Sequence, residues 1–67
     1  MDSFGDFIKV KMIKISAKRG YKFQQNELSK ISGIDYSWLS RIINGHVEPR
    51  PGEVDSINNA LEKAAQS

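Results

Sequence analysis

The sequence predicts an all-α fold, a compact domain of four or five helices. Apolar residues recur at intervals of three and four within segments that are bounded by glycines and prolines. No stretch alternates apolar and polar residues between hairpin turns, so no sheet is expected. The chain has 67 residues, 39% of them hydrophobic, which is enough for one small core. Residues 1–67 are therefore interpreted as a single domain.

The composition argues against several classes of protein. The chain has no Cys and one His, so it offers neither disulfides nor a Cys and His metal site. No arrangement of nucleophile, base and orienting residue is recognisable, so we expect neither an enzyme nor a cofactor. No apolar run approaches the ~20 residues of a membrane span, and no signal peptide is recognisable. The expectation is a cytoplasmic protein.

The net charge of +2 is unevenly distributed along the chain. Residues 1–22 contain six basic and two acidic side chains, whereas residues 51–67 contain one basic and three acidic side chains. The positively charged N-terminal segment permits binding to a polyanion, but charge alone is weak evidence for binding to nucleic acid.

Helix 1 is predicted over about residues 3–19. Ser3 is a suitable N-cap, and Gly20 ends the helix after two basic residues. Apolar residues follow one helical stripe at positions Phe4, Ile8, Met12 and Ile15.

The other helices are predicted from their start and stop signals. Helix 2 covers residues 25–32 and ends at Gly33, and helix 3 covers residues 36–44 with Asp35 as its cap. Asn44 and the glycine after it both tolerate a left-handed backbone and are expected to close helix 3. Helix 4 begins near a proline, which fits a first turn.

We expect one core to hold these short helices together, since helices of two turns are marginal alone. The predicted core residues are Ile8, Met12, Ile15, Phe23, Leu28, Ile31, Ile34, Leu39, Ile42, Val54, Ile57 and Leu61. Trp38 is expected to pack over helices 3 and 4, and Ile43 to be core or a dimer patch.

Residues 25–44 read as a helix-turn-helix, with Gly33 in the turn. Helix 3 then directs Leu39 and Ile42 inward. Its outward face carries the polar and aromatic side chains Tyr36, Ser37, Ser40 and Arg41. A face of this composition suits base edges in the major groove of DNA.

These residues resemble the phage repressor/Cro family, also called the Xre family, of helix-turn-helix regulators. The positions in register are Phe23, Gln25, Leu28, Gly33, Ile34, Asp35, Leu39, Arg41, Ile42, Asn44, Gly45 and Pro49. The resemblance covers about residues 8–61. It implies a lambda-repressor-like fold and double-stranded DNA as the partner.

The resemblance also implies a role for each matching position. Base contacts are expected from Tyr36, Ser37, Ser40 and Arg41, of which Arg41 suits a guanine. Contacts with the DNA backbone are expected from Gln25, Asn44, Lys22 and His46.

The sequence departs from the family pattern at several places. Gln24 replaces the usual Ser or Thr cap of helix 2, and Ser16 and Ile43 stand where the family often has an Arg–Glu pair. The loop after Gly45 is nearly neutral. Affinity for phosphate is therefore expected from the lysines of helix 1, such as Lys11 and Lys14, and from Arg50.

The sequence therefore predicts a transcriptional regulator of the phage or mobile-element repressor type, which reads the major groove with residues 36–44. A homodimer on a pseudo-palindromic operator is one expected assembly. An alternative is a protein-interaction module, such as an antirepressor, antitoxin or accessory factor, with weak or no DNA binding. The chain is also compatible with the DNA-binding part of a longer repressor.

Overall fold

The computed structural model describes residues 3–66, which form four α-helices and no strand. The helices are α1 (Phe4–Arg19), α2 (Gln25–Ser32), α3 (Tyr36–Ile43) and α4 (Pro51–Gln66). Both α1 and α2 pack against α3 and α4. The Cα radius of gyration is 11.0 Å, close to the ~11 Å that folded chains of this length have. The all-α prediction is confirmed; residues 1, 2 and 67 of the predicted domain lie outside the described part.

The predicted caps of α1 and α3 form as expected. The Ser3 hydroxyl accepts a hydrogen bond of 3.2 Å from the Asp6 N–H, and the Asp35 carboxylate accepts one of 3.1 Å from the Ser37 N–H. Each bond satisfies a backbone donor in the first turn of its helix, where no intrahelical acceptor exists. Both helices therefore begin where the sequence indicated.

The end of α3 differs by one residue from the prediction. The helix ends at Ile43, and Asn44 has a φ of −84°, which is not left-handed. Of these two residues, only Gly45 takes the left-handed backbone, with a φ of +78°. Glycine adopts this conformation without the steric cost that a Cβ brings, so the reversal of the chain is placed entirely at residue 45.

The core is apolar and draws on every helix. Its buried residues are Ile8, Ile15, Phe23, Leu28, Leu39, Ile42, Ile43, Ile57, Ala60, Leu61 and Ala64. Ile43 is therefore a core residue, and Trp38 packs against the core at its edge.

Four predicted core residues lie closer to the surface than expected. Ile31 is 41% exposed, so its assignment to the core was wrong. Because α2 has only two turns, it is anchored by Leu28, and the position three residues later falls at the rim of the contact. Met12, Ile34 and Val54 are half-buried, and the first two of these pack against the core.

The backbones of α1 and the end of α3 approach each other closely at Gly5. A Cβ placed on Gly5 would overlap the carbonyl oxygen of Ile43 and lie 2.9 Å from that of Ile42. Both atoms belong to the backbone and cannot turn aside as a flexible side chain would. The absence of a side chain at residue 5 thus sets the distance between the two helices.

A serine hydroxyl fixes the loop between α1 and α2. Ser16 Oγ donates to the carbonyl oxygen of Met12 at 2.8 Å and accepts from the Phe23 N–H at 2.7 Å. Phe23 is buried, so its N–H has no access to water and needs this acceptor. Ser16 therefore holds the entry to α2.

An arginine provides a second link between α1 and α2. Arg19 Nη2 lies 3.1 Å from a carboxylate oxygen of Glu27, and the guanidinium carbon lies 4.0 Å from the ring centroid of Tyr21. Desolvation acts against the charge, but hydrogen bonds to Tyr21 and Glu27 raise the pKa of Arg19 above its ordinary value. The guanidinium therefore remains charged while it packs between the ring and the carboxylate.

We expect Gly5→Ala to lower the free energy of unfolding by about 1–3 kcal/mol, because the new methyl group overlaps the backbone of α3. Gly52→Ala is the matched control, since a Cβ at Gly52 meets nothing within 4 Å. That change should leave stability unchanged or raise it by up to about 1 kcal/mol. Urea unfolding followed by circular dichroism measures both, and similar effects for the two variants would contradict the close approach.

We expect Ser16→Ala to cost about 1–3 kcal/mol of stability, because the buried N–H of Phe23 loses its acceptor. Ser32→Ala is the comparison: its hydroxyl makes longer bonds, 3.4 Å to Ser29 and 3.3 Å from Ile34. The same unfolding measurement should show the smaller loss for Ser32→Ala. A larger loss at Ser32 than at Ser16 would be inconsistent with the loop anchor described here.

Candidate nucleic-acid interface

The outer face of α3 is separated cleanly from its buried face. Leu39 and Ile42 are buried, whereas Tyr36, Ser37 and Arg41 are exposed, with Tyr36 at 49%. This separation follows from the helical period, because the apolar positions of α3 recur at intervals of three. The predicted inward and outward positions of these five residues are confirmed.

Ser40 is the most enclosed of the four residues expected to contact bases. It is half-buried, and its hydroxyl oxygen accepts a hydrogen bond of 3.3 Å from the Asn44 amide. The hydroxyl proton remains available to an acceptor on a ligand. The side chain of Asn44, expected at a phosphate, is thus coupled to a position on the outer face of α3.

The turn before α3 fixes the direction of that helix. Gly33, with a φ of +75°, donates its N–H to the carbonyl oxygen of Ser29 at 3.0 Å. The Ser29 hydroxyl in turn donates to the carbonyl oxygen of Ile34 at 2.6 Å. Together with the Asp35 cap, these bonds connect α2 to α3 across the three residues between the helices, so the outer face of α3 is held in one orientation.

Three of the four residues expected at the DNA backbone lie together. Lys22, Gln25 and Asn44 line one cavity of about 520 Å³ between α1, the start of α2 and the end of α3. Lys9 of α1 lines the same cavity. His46 is exposed in the loop after α3, where its N–H donates to the carbonyl oxygen of Arg41 at 2.9 Å, but it is not among the lining residues.

The start of α2 is open, as the sequence indicated. Gln24 makes no capping hydrogen bond with its side chain. Glu27, which completes a capping box in other proteins, pairs with Arg19 instead. The first backbone N–H groups of α2 therefore have no side-chain acceptor from residue 24, and they carry the positive end of the helix dipole.

Two polar side-chain atoms of this region are shielded from solvent and have no hydrogen-bond partner among residues 3–66. They are Nε2 of Gln25 and Nε1 of Trp38. Trp38 lines a second cavity, formed by the helix-turn-helix turn and the start of α4, together with Arg50 and Glu53. The Arg50 N–H donates to Glu53 at 2.9 Å. Because Arg50 lines this second cavity, it lies beside the turn, and it is not among the residues that line the cavity of Gln25.

The lysines of α1 occupy two different sides of the helix. Lys9 lines the cavity near Gln25, whereas Lys11, Lys14 and Lys18 line a groove of about 430 Å³ between α1 and α4. The Lys18 ammonium donates to the carbonyl oxygen of Ala65 across this groove at 2.6 Å. The groove lysines expected from sequence to bind phosphate are thus on a surface different from that of Gln25 and Asn44.

Sequence reasoning missed Lys9 and Ile13 as neighbours of the expected phosphate contacts. Lys9, Met12 and Ser16 recur at intervals of three and four, so they share one side of α1. The signal was therefore present in the spacing. The spacing does not tell which side of α1 faces the end of α3; the close approach of Gly5 to the backbone of α3 determines this.

Within residues 3–66, no group of three His, Cys, Asp or Glu side chains is placed to hold a metal ion. None of the helices in that part of the chain has the length and apolar character needed to cross a bilayer.

Comparison with known proteins identifies the family. A sequence model of the helix-turn-helix domain matches residues 9–66, from the second turn of α1 to the end of α4. Neither the curated proteins nor the solved structures that were compared give a match. The match spans most of the chain and includes both helices and the turn described above, so the protein belongs to the helix-turn-helix domain family.

Proposed function

We propose that this protein is a sequence-specific regulator that binds double-stranded DNA in the manner of the phage repressor/Cro family. The observation that carries the proposal is the outer face of α3. Tyr36, Ser37 and Arg41 extend from a helix whose opposite side is fixed in the core by Leu39 and Ile42. A rigid, polar helix face of this kind fits the major groove, which admits one α-helix.

Each residue of this face has a proposed role. Arg41 is exposed and forms no ion pair within residues 3–66, so its guanidinium is available for O6 and N7 of a guanine. Tyr36 and Ser37 lie in the first turn of α3, which is the part of a recognition helix that enters the groove first. Ser40 contributes one hydroxyl donor from the next turn.

The cavity beside α3 supports a set of contacts with the DNA backbone. Lys22, Gln25 and Asn44 line it together, and the open start of α2 adds backbone donors to the same region. We include Lys9 in this set because it lines the same cavity. His46 is assigned to a separate contact from the loop after α3. Such contacts position the protein without reading sequence.

A dimer on a pseudo-palindromic operator is the proposed assembly. Two copies of α3 would enter successive major grooves about 34 Å apart. Repression would follow from occupation of a promoter by the pair.

We expect Arg41→Ala to weaken specific binding by about 1–3 kcal/mol and to relax preference at one base pair. Lys63→Ala, which removes a positive charge from the exposed surface of α4, is the control for net charge. Binding selection from randomised duplexes, followed by measurement of affinity, tests both variants. An unchanged base preference in Arg41→Ala would remove Arg41 from the reading role.

We expect Lys22→Ala and Lys9→Ala to weaken binding to all duplexes alike and to flatten the dependence of log K on log salt by about 0.9 for each lost phosphate contact. Lys11→Ala and Lys14→Ala are the matched controls, because those lysines line the groove between α1 and α4. Gel-shift titrations at a series of salt concentrations measure the slope. A larger change from the groove lysines would place the DNA backbone on the other side of α1.

A second candidate function is a protein-interaction module with weak or no DNA binding. It is favoured by apolar side chains on the outside of α1, of which Val10 is 49% exposed. Trp38 and Ile43 give it little support, because one is half-buried and the other is buried. Weak binding that is indifferent to sequence at low and high salt would favour this function over the first.

A further inference from the structure

The cavity beside the start of α2 is open to solvent, and its size and mixed lining are compatible with a small-molecule site. Its volume of about 520 Å³ lies within the range of roughly 300–1,000 Å³ that is typical for such sites. Four apolar side chains contribute to its lining: Met12, Ile13, Phe23 and Ile43. Ile13 is 68% exposed, which makes it the most exposed of the large apolar side chains within residues 3–66. An apolar ligand would shield this side chain from water.

The charge of the cavity is of one sign. Lys9 and Lys22 are its charged lining residues, and no acidic side chain is part of the lining. Neither lysine forms an ion pair within the described part of the chain. The groove between α1 and α4 differs in this respect, since Glu62 lines it beside three lysines. A negatively charged ligand is therefore complementary to the cavity beside the start of α2 and not to the groove between α1 and α4.

The half-buried side chain of Gln25 also lines the cavity. Nε2 of Gln25 is shielded from solvent and has no hydrogen-bond partner within residues 3–66. The last torsion of a glutamine side chain is broad, so the amide turns toward the cavity at little cost. A ligand oxygen placed there would accept the hydrogen bond that this donor lacks.

We propose that this cavity binds a small monoanion with an apolar body, of the class represented by a medium-chain carboxylate. The carboxylate would lie between Lys9 and Lys22 and accept a hydrogen bond from Gln25. The hydrocarbon chain would cover Met12 and Ile13. Both halves of the ligand are needed, because the lysines alone are solvated surface charges and the apolar lining alone does not select an anion.

Occupation of this cavity would regulate the protein, an inference that rests on the proposed function. Lys22, Gln25 and Asn44 are the residues assigned above to the DNA backbone, and they line the same cavity as the ligand. A carboxylate on Lys22 and Gln25 would exclude a phosphate from the same donors. The ligand would therefore release DNA by direct competition, and DNA would release the ligand.

The first experiment measures ligand binding to the protein without DNA. Isotope-labelled protein is titrated with decanoate below its micelle concentration, and with decanol and acetate as the body and the head alone. Decanoate should shift amide resonances of residues 9–13, 22–26 and 43–44. Decanol and acetate should each bind at least tenfold more weakly. Equal binding of decanoate and decanol, or no binding of decanoate, would overturn the proposal.

Matched variants locate the site. Lys22→Gln and Ile13→Asn should each weaken decanoate binding tenfold or more. Lys14→Gln removes the same charge from the other side of α1, and Val10→Asn makes the same exchange at an exposed apolar position outside the cavity. These two controls should bind decanoate as the unmodified protein does. Loss of binding in the controls alone would assign the ligand to another surface and overturn the proposal.

Two further arms separate the possible failures. Anionic phospholipid vesicles are tested beside free decanoate, and binding to vesicles alone would identify a membrane surface and overturn the small-molecule site. Decanoate at constant ionic strength should also displace a selected duplex, whereas acetate should not. If decanoate binds the cavity and no duplex binds at any salt concentration, the DNA-binding function fails while the ligand site stands. If the duplex binds and decanoate leaves it bound, the regulatory role is wrong.

Discussion

The contact between the backbones of α1 and α3 is the constraint on which the rest of the structure depends. Gly5 lies against the carbonyl groups of Ile42 and Ile43 at a distance that leaves no space for a Cβ. This approach fixes which side of α1 faces the end of α3, and so it determines that Lys9 and Ile13 border the cavity near Gln25. The same approach leaves the groove lysines of α1 on the side of α4.

Two polar interactions stabilise the junction between α1 and α2 in addition to apolar packing: one hydrogen bond between uncharged groups and one ion pair. Ser16 satisfies the buried N–H of Phe23, and Arg19 pairs with Glu27. The first bond acts where water is excluded, so its loss has the larger energetic consequence. The second lies nearer the solvent, where an ion pair contributes less. Together they hold the open start of α2 beside α1, where the proposed backbone contacts and the proposed ligand site meet.

Local signals in the sequence were sufficient to predict the helices, but not the cavity. The bounds of α2 and the caps Ser3 and Asp35 depend on residues within a few positions of one another, and all were predicted. Ile31 was misassigned because helical periodicity gives the direction of a side chain and not the width of the contact that covers it. The cavity joins residues from 9 to 44, and its existence depends on the position of α1 over α3. The assignment of individual residues to DNA contacts stays a prediction, because such contacts depend on the DNA as well as on the protein chain.

Full burial within residues 3–66 is confined to hydrophobic side chains and Gly5. The outward side chains of α3 are correspondingly independent of the packing that maintains the fold, since the helix is anchored by the buried Leu39, Ile42 and Ile43, with Trp38 at the edge of the core. Exchange of Tyr36, Ser37 or Arg41 should then change the free energy of unfolding by no more than about 0.5 kcal/mol. A scaffold with this property can exchange the outer side chains of α3 through a few substitutions without passing through an unstable ancestor, so its descendants are free to diverge in surface chemistry while they keep the same architecture.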